Sequence, residues 1–400
     1  MNTTPGNYEK VAIAVVHHET MDQVATDLTA QLRRRLGPDK PDLVILFASP
    51  HYIEKLDLIA ADLQRFLEPV ALIGAAAETV IAGDREFEGE PAVVVWAARW
   101  TGVGIRSFHL SHEQLADLES NESYRDHLNL PADVDPSFVL IGDPFSFPAS
   151  SFLASLHDAF PKSEIVGGLA SAADEPGKNV LIFDGHPMHF GMVGVAIWGN
   201  LRFETLVSQG CRPIGRHMIV TRAEQNVIQA LGGRAPLQVV NEMIQECSKR
   251  DVELMKKRGL LVGRVINEQR AKFTQGDFLI RSPLGFDKDS GALVINDLVR
   301  IGQTIQFQVR DAGSAARDLE EMLEPKSGIA FSGGLLFTCN GRGSRLFSQQ
   351  DRDAKAIMDA LGSPPLAGMS CAGEIGPIGG TPFLHGHTAC VGLLASTTSS

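Results

Sequence analysis

Four hundred residues, 44% hydrophobic and 21% charged, exceed what a single core of roughly 250–300 residues organises, and predict two domains or one large one. A formal charge of −12 argues against a nucleic-acid surface, which needs clustered Lys and Arg, and against docking on anionic lipid. No apolar run reaches bilayer length, and Val11–Val16 is too short for a signal-peptide core, so a cytoplasmic protein is expected. The cysteines (Cys211, Cys247, Cys339, Cys371, Cys390) form no C-x-x-C pair, which predicts a reducing compartment without a disulfide framework or a zinc ribbon.

Apolar runs bounded by Gly or Pro alternate with helix-period segments, the pattern of an α/β chain. Val11–Val16 reads as a buried strand and Met21–Leu36 as an amphipathic helix stopped by Gly37-Pro38. Leu43–Ala48 (strand), Ile53–Leu67 (helix) and Val70–Ile73 (strand running into Gly74) follow. This block recurs. Phe138–Gly142, Ser150–Phe160 and a strand ending in Gly167-Gly168 repeat its order, as do Ile329–Thr338, Asp351–Leu361 and a strand ending in Gly368. Three such strand–loop–helix–strand–Gly units suggest duplicated modules facing a common site. Val193–Trp198 and Leu201–Val207 flank Gly199-Asn200, a hairpin signal. Leu237–Lys257 reads as one long helix carrying Val240, Ile244, Cys247 and Leu254 towards a core. The expected fold is α/β, with mixed α/β domains over 1–215 and 216–395, a boundary near 208–222 and a frayed Ser/Thr-rich tail at 396–400.

Several enzyme signatures fail on inspection. Gly102-Val-Gly104 lacks the third glycine of a dinucleotide fingerprint, Gly177-Lys178 is no Walker loop, and His112-Glu113 has Ala116 where a zincin needs its second histidine. Gly368-Met-Ser370-Cys-Ala372 is too loose for a nucleophile elbow. The informative stretches lie in the last third. Cys339-Asn340-Gly341-Arg342-Gly343 ends an apolar strand in a glycine loop whose N–H groups can approach a ligand, while Arg342 offers a bidentate fork for an anion. Cys339 beside that charge is the candidate for a reactive thiol. Gly373-Glu374 sits in a Gly/Pro-shaped loop and offers one carboxylate to a cationic group. His385 and His387 share a face of an extended chain, so a metal pair is geometrically available, but no third ligand stands at recognisable spacing and hydrogen bonding is preferred. No metal or cofactor is expected. Arg281 is a further anion-binding candidate, and Gly168 with Ser171 occupies the corresponding place in the second repeat.

Taken together, Gly167-Gly-Leu-Ala-Ser171, Gly191-Met-Val-Gly194 and Ser208-Gln-Gly-Cys-Arg-Pro-Ile-Gly215 resemble the FIST N-terminal domain. Leu231-Gly-Gly-Arg-Ala-Pro236, Cys339-Asn-Gly-Arg-Gly343, Gly373-Glu-Ile-Gly-Pro377 and Leu384-His-Gly-His-Thr388 resemble its C-terminal companion, and the likeness runs over roughly 40–395. The resemblance implies a bacterial sensory module of signal transduction that binds a small ligand such as an amino acid, with kinship to the C-terminal part of certain F-box proteins. With no kinase, cyclase or helix-turn-helix segment visible, such a sensor would signal through an unidentified partner protein. The expected site is a cleft between two such domains, Arg342 taking the anionic end of a zwitterion, Glu374 its cationic end, and His385 or His387 the wall. The alternatives are a Cys339-dependent transferase or hydrolase acting on a small acyl group, and a protein-interaction scaffold.

Overall fold

The computed structural model describes residues 10–17, 23–118, 120–270 and 272–396. Its contacts divide the chain into two compact units that are interleaved in sequence: 1–207 with 320–384 and 388–400 in one, and 208–319 with 385–387 in the other.

Three apolar runs set the architecture of the first unit. Leu43–Ala48, Ser137–Gly142 and Gly333–Cys339 are strands buried on both faces almost throughout, as near-continuous hydrophobic sequence requires of a strand inside a covered sheet. Each leads into a helix (Leu56–Leu67, Ala149–Ala159, Arg352–Leu361) and then into a second strand (Ala71–Ala76, Ile165–Leu169, Leu366–Cys371) that returns parallel to the first. In every pair a leucine stands opposite a glycine: Leu46 and Gly74, Leu140 and Gly167, Leu336 and Gly368. A Cβ on these glycines would lie 2.2, 1.9 and 1.9 Å from the leucine carbonyl oxygen, so close backbone approach selects glycine three times over. The repeat read in the sequence is a structural repeat.

The modules are completed in the same way. An antiparallel strand covers the first strand of each pair (Val93–Arg99, Met192–Gly199, Thr388–Ser396), followed by an edge strand (Lys10–Val16, Val103–Leu110, Leu201–Gln209). The opposite edge is closed by a hairpin that another module supplies. Thr79–Ala82 and Arg85–Glu88 follow the first module but pair with Leu366–Cys371 of the third. Leu181–Phe183 and His186–Met188 follow the second and pair with Ala71–Ala76 of the first. Glu374–Ile378 and Thr381–His385 follow the third and extend the second through Ile165–Leu169. The result is three six-stranded sheets joined by a cyclic exchange of hairpins.

Alternation decides which side chains meet. Leu43, Ile45 and Phe47 enter a core shared with Val139, Ile141, Leu335, Phe337, Met369 and Cys371, whereas Val44, Leu46 and Ala48 face the helices Val24–Leu36 and Leu56–Leu67. Gly199-Asn200 does not make the hairpin expected of it. Met192–Gly199 already has Ser137–Gly142 and Val103–Leu110 on its two edges, so Leu201–Gln209 passes on to the sheet of Thr388–Ser396.

The second unit holds an antiparallel sheet in the order Phe278–Arg281, Leu261–Val265, Thr304–Arg310, Met218–Glu224, Val227–Leu231, Leu293–Ile295, Pro283–Phe286, with Cys211–Pro213 also on Thr304–Arg310. The long helix expected over 237–257 is two helices, Pro236–Glu246 and Lys249–Arg258. Cys247 is extended, and the Ser248 side chain accepts a hydrogen bond from the Asp251 N–H, starting the second helix afresh. Val240 is buried as read, but Ile244 is exposed. At the C-terminus a strand runs to Ser396, and the remainder of the expected tail, 397–400, lies outside the described residues.

Candidate functional site

Where the third module's strand Gly333–Cys339 ends, next to the strand Leu366–Cys371 that carries the first module's hairpin, a cavity of about 360 Å³ opens within the first unit. Its walls come from the Cys339–Arg345 loop, from Glu78, Glu86 and Glu88 on and before the hairpin, and from His51 and Ser370. The pattern of acceptors and donors around it is dense.

Arg342 is the buried cation of the site, 2% exposed. Its Nε and Nη2 grip Asp353 at 2.6 and 2.7 Å, and its guanidinium lies 5.4 Å from the Phe347 ring centre. Burial disfavours its charge, but Asp353 overcomes this, so the guanidinium stays protonated throughout the accessible pH range. The remaining nitrogen, Nη1, has no hydrogen-bond partner among the described residues, and neither has Oδ1 of Asn340.

Glu86 stands on the hairpin, 5% exposed. Its N–H donates to Asp351 Oδ1 at 2.8 Å, and its Oε1 accepts from the N–H groups of Asp353 and Ala354 at 3.1 Å each, at the start of the helix Arg352–Leu361. Burial and then the Asp353 carboxylate push its pKa up to about 7, despite the helix N–H groups and Arg342. Glu88 Oε1 accepts from the Ser344 N–H at 2.9 Å, and Arg345 holds Glu78 with both terminal nitrogens. Gly343 has φ 56°, and a Cβ there would meet Glu88 Oε1 at 2.4 Å. Glycine is therefore needed at 343 for a left-handed turn against a carboxylate, beyond the ligand approach read from sequence.

Cys339 occupies the place that Ser49 and Asp143 hold in the other modules, three residues after the leucine opposite the glycine. Ser49 Oγ accepts from Ala92 N–H at 3.0 Å, and Asp143 Oδ2 from Phe145 and Ser146 N–H at 3.2 and 2.9 Å. Cys339 Sγ accepts from Gly341 N–H at 3.4 Å, a longer and weaker bond.

The cavity thus gathers Cys339, Asn340, Arg342 and Gly343 of the expected residues, with Gly341 in the same loop. Ser171 does not line it but donates to the carbonyl of Ser370, which does, at 2.7 Å. The others are not among its lining residues. Glu374 is fully buried and accepts from Thr388 N–H at 2.9 Å and Oγ1 at 2.7 Å, an internal tie between strands. Gly373 accepts the Leu169 N–H, and Gly168 leaves room for the sulfur of Cys371, which a Cβ would approach to 2.2 Å. Arg281 pairs with Asp297 at 2.8 Å in the second unit. His385 and His387 do not share a strand face, because the strand ends at His385 and His387 is left-handed at φ 69°. Burial, then Arg310, pulls the His387 imidazole down to about 4. Among the described residues no three His, Cys, Asp or Glu side chains cluster as metal ligands.

Sequence reading missed Glu78, Glu86, Glu88, Asp353, Arg345 and His51. Glu78, Glu86 and Glu88 enter on or just before the exchanged hairpin and His51 from the first module's loop, whereas Arg345 and Asp353 belong to the third module's own loop and helix. Glu86 lies 253 residues from Cys339 with no spacing that points to it.

The FIST N domain matches residues 42–234, and the FIST C domain matches residues 236–377. The chain belongs to the FIST family. The uncharacterized protein Rv0628c of Mycobacterium tuberculosis (strain ATCC 25618 / H37Rv) is 40% identical over 388 residues, 96% of this chain and 99% of its own length. The uncharacterized protein Mb0898c of Mycobacterium bovis is 38% identical over 389 residues, 96% of this chain and 98% of its own. Among solved structures, a cyanuric acid hydrolase from A. caulinodans aligns over 98% of this FIST protein and 100% of its own chain, at a TM-score of 0.35 and 9% identity. The join between the two FIST matches, at 234–236, falls inside the second compact unit and not at its edge. No helix among the described residues is long and apolar enough to cross a membrane.

Proposed function

We propose that this FIST protein is a sensor whose input is a small dipolar molecule of the amino-acid class, bound in the cavity beside Arg342. The observation that carries this reading is Arg342 itself: the residue lines a 360 Å³ cavity, and its permanently charged guanidinium, fully buried, leaves Nη1 unpartnered among the described residues. A carboxylate accepts from such a donor, while the Asn340 carbonyl oxygen and the carboxyl groups of Glu86 and Glu88 accept from an ammonium group. The cationic end is therefore assigned to the hairpin carboxylates in place of Glu374. Signal output would pass to a partner protein.

Thermal shift against the twenty amino acids and small organic acids tests this. A ligand of the folded state adds about 2.7 kcal/mol at a hundred-fold excess over its dissociation constant. Arg342→Ala is a poor control, because stranding Asp353 in the interior costs about 3–5 kcal/mol by itself. Asn340→Ala removes only a side chain, leaving the backbone N–H that donates to the Cys371 carbonyl at 3.1 Å. A saturable shift with an amino acid that Asn340→Ala weakens at least ten-fold supports the reading. Silence across the panel, or a shift that this variant leaves unchanged, overturns it.

A further inference from the structure

Cys339 and Cys371 are register partners on adjacent parallel strands. Directly paired residues of a parallel ladder lie about 4.8 Å apart and project to the same face, inside the roughly 4.4–6.8 Å that a disulfide spans between Cα atoms. The alternation agrees: Phe337 and Met369, two residues earlier on each strand, both enter the shared core that Cys371 joins. The two thiols differ in access. Cys339 is half-buried and lines the cavity, whereas Cys371 is 1% exposed. A thiolate at Cys339 lies in the field of the buried Arg342 and accepts the Gly341 N–H. A third cysteine, Cys390, stands opposite Phe337 on the other side of the same strand and gives an internal control. None of the five cysteines is in a disulfide.

We propose that Cys339 and Cys371 are a redox pair, in which a small hydroperoxide entering the cavity oxidises Cys339 and Cys371 then closes a disulfide. The Cys339 thiolate attacks one oxygen of hydrogen peroxide, the O–O bond breaks, and hydroxide leaves to take up the thiol proton as water. Cys339 is then a sulfenic acid. The Cys371 sulfur attacks it, the S–O bond breaks, and the Cys371 proton leaves with the hydroxyl group as a second water. Two thiols are oxidised and one peroxide is reduced to two waters. The step uses no ligand and stands apart from the sensory reading.

The test treats the purified full-length protein with hydrogen peroxide, counts thiols after denaturation and maps linked peptides by mass spectrometry. The expected result is a fall from five thiols to three, with Cys339 joined to Cys371 and the same link in Cys390→Ser. Cys371→Ala should stop at a Cys339 sulfenic acid that a cyclic dione traps, with a native circular dichroism spectrum confirming its fold. Cys339→Ser, whose site faces the cavity, should keep its four remaining thiols at the same dose. A link from Cys339 to Cys390, five surviving wild-type thiols, or dione-trapped Cys339 that never proceeds to a disulfide in the wild type overturns the proposal.

Discussion

Arg342, Asp353 and Glu86 form a buried triad with one positive charge and two carboxyl groups, and the third group carries the imbalance. Asp353 takes the guanidinium in a bidentate pair, so Glu86 is the one held near neutrality, at about 7. An acid whose folded pKa is raised contributes stability that is fully present below about 4.5, the range of the unfolded carboxyl, and lost as the pH rises through 7. The loss is on the order of 3 kcal/mol at most. Urea unfolding at pH 5 and pH 8 should show this decline, and Glu86→Gln, which keeps an acceptor for the helix N–H groups, should flatten it. An unchanged pH slope in the variant would place the titration elsewhere. The residue types at Cys339 and Arg342 were readable as chemistry; that Arg342 is already engaged by Asp353 was not, because Asp353 stands eleven positions further on, on the next helix.

At the level of single elements, the three leucine–glycine crossings do the positioning. A methyl group at Gly368 would sit 1.9 Å from the Leu336 carbonyl oxygen, a backbone atom that cannot swing aside. Gly368→Ala should therefore cost about 3 kcal/mol, at the upper end of overpacking changes, measured by urea unfolding. Because the pair it separates ends in Cys339 and Cys371, the cavity should widen with the sheet. A cost below about 1 kcal/mol would mean the strands part easily. The strands and helices of each module were legible from apolar runs and helical period. The break at Cys247-Ser248 was not, since apolar spacing continues through it, and only the extended Cys247 and the Ser248 cap reveal two helices.

At the scale of the molecule, the exchange of hairpins makes the first unit interdependent. Residues 1–207 alone would leave the hairpin Thr79–Glu88 without Leu366–Cys371 to pair with, and Ile165–Leu169 without the strand Glu374–Ile378. A fragment ending at 207 should lack a cooperative thermal transition and near-ultraviolet circular dichroism, while the full chain shows both. A sharply melting fragment would show that two modules suffice. The acidic wall of the cavity depends on the same exchange, because Glu86 and Glu88 reach the third module only on the first module's hairpin.

What the sequence determined by itself is local and periodic. Continuous apolar runs specified buried strands, 3.6-residue spacing specified the covering helices, and the recurring glycine disclosed a threefold repeat before any contact was known. It also pointed to the Cys339–Gly343 loop, because glycine and a charge beside a strand end is a chemical signature carried by neighbours in the chain. The tertiary structure decided which edges pair, and so which carboxylates face that loop. Hairpin exchange leaves no mark on local periodicity: a strand's alternation says which face is buried, while its partner is chosen by whichever edge stands open in the assembled sheets. For the same reason Glu374, read from the sequence as a loop carboxylate, begins the strand Glu374–Ile378 and went to an internal bond with Thr388, and Glu86, in an ordinary strand, went to the cavity.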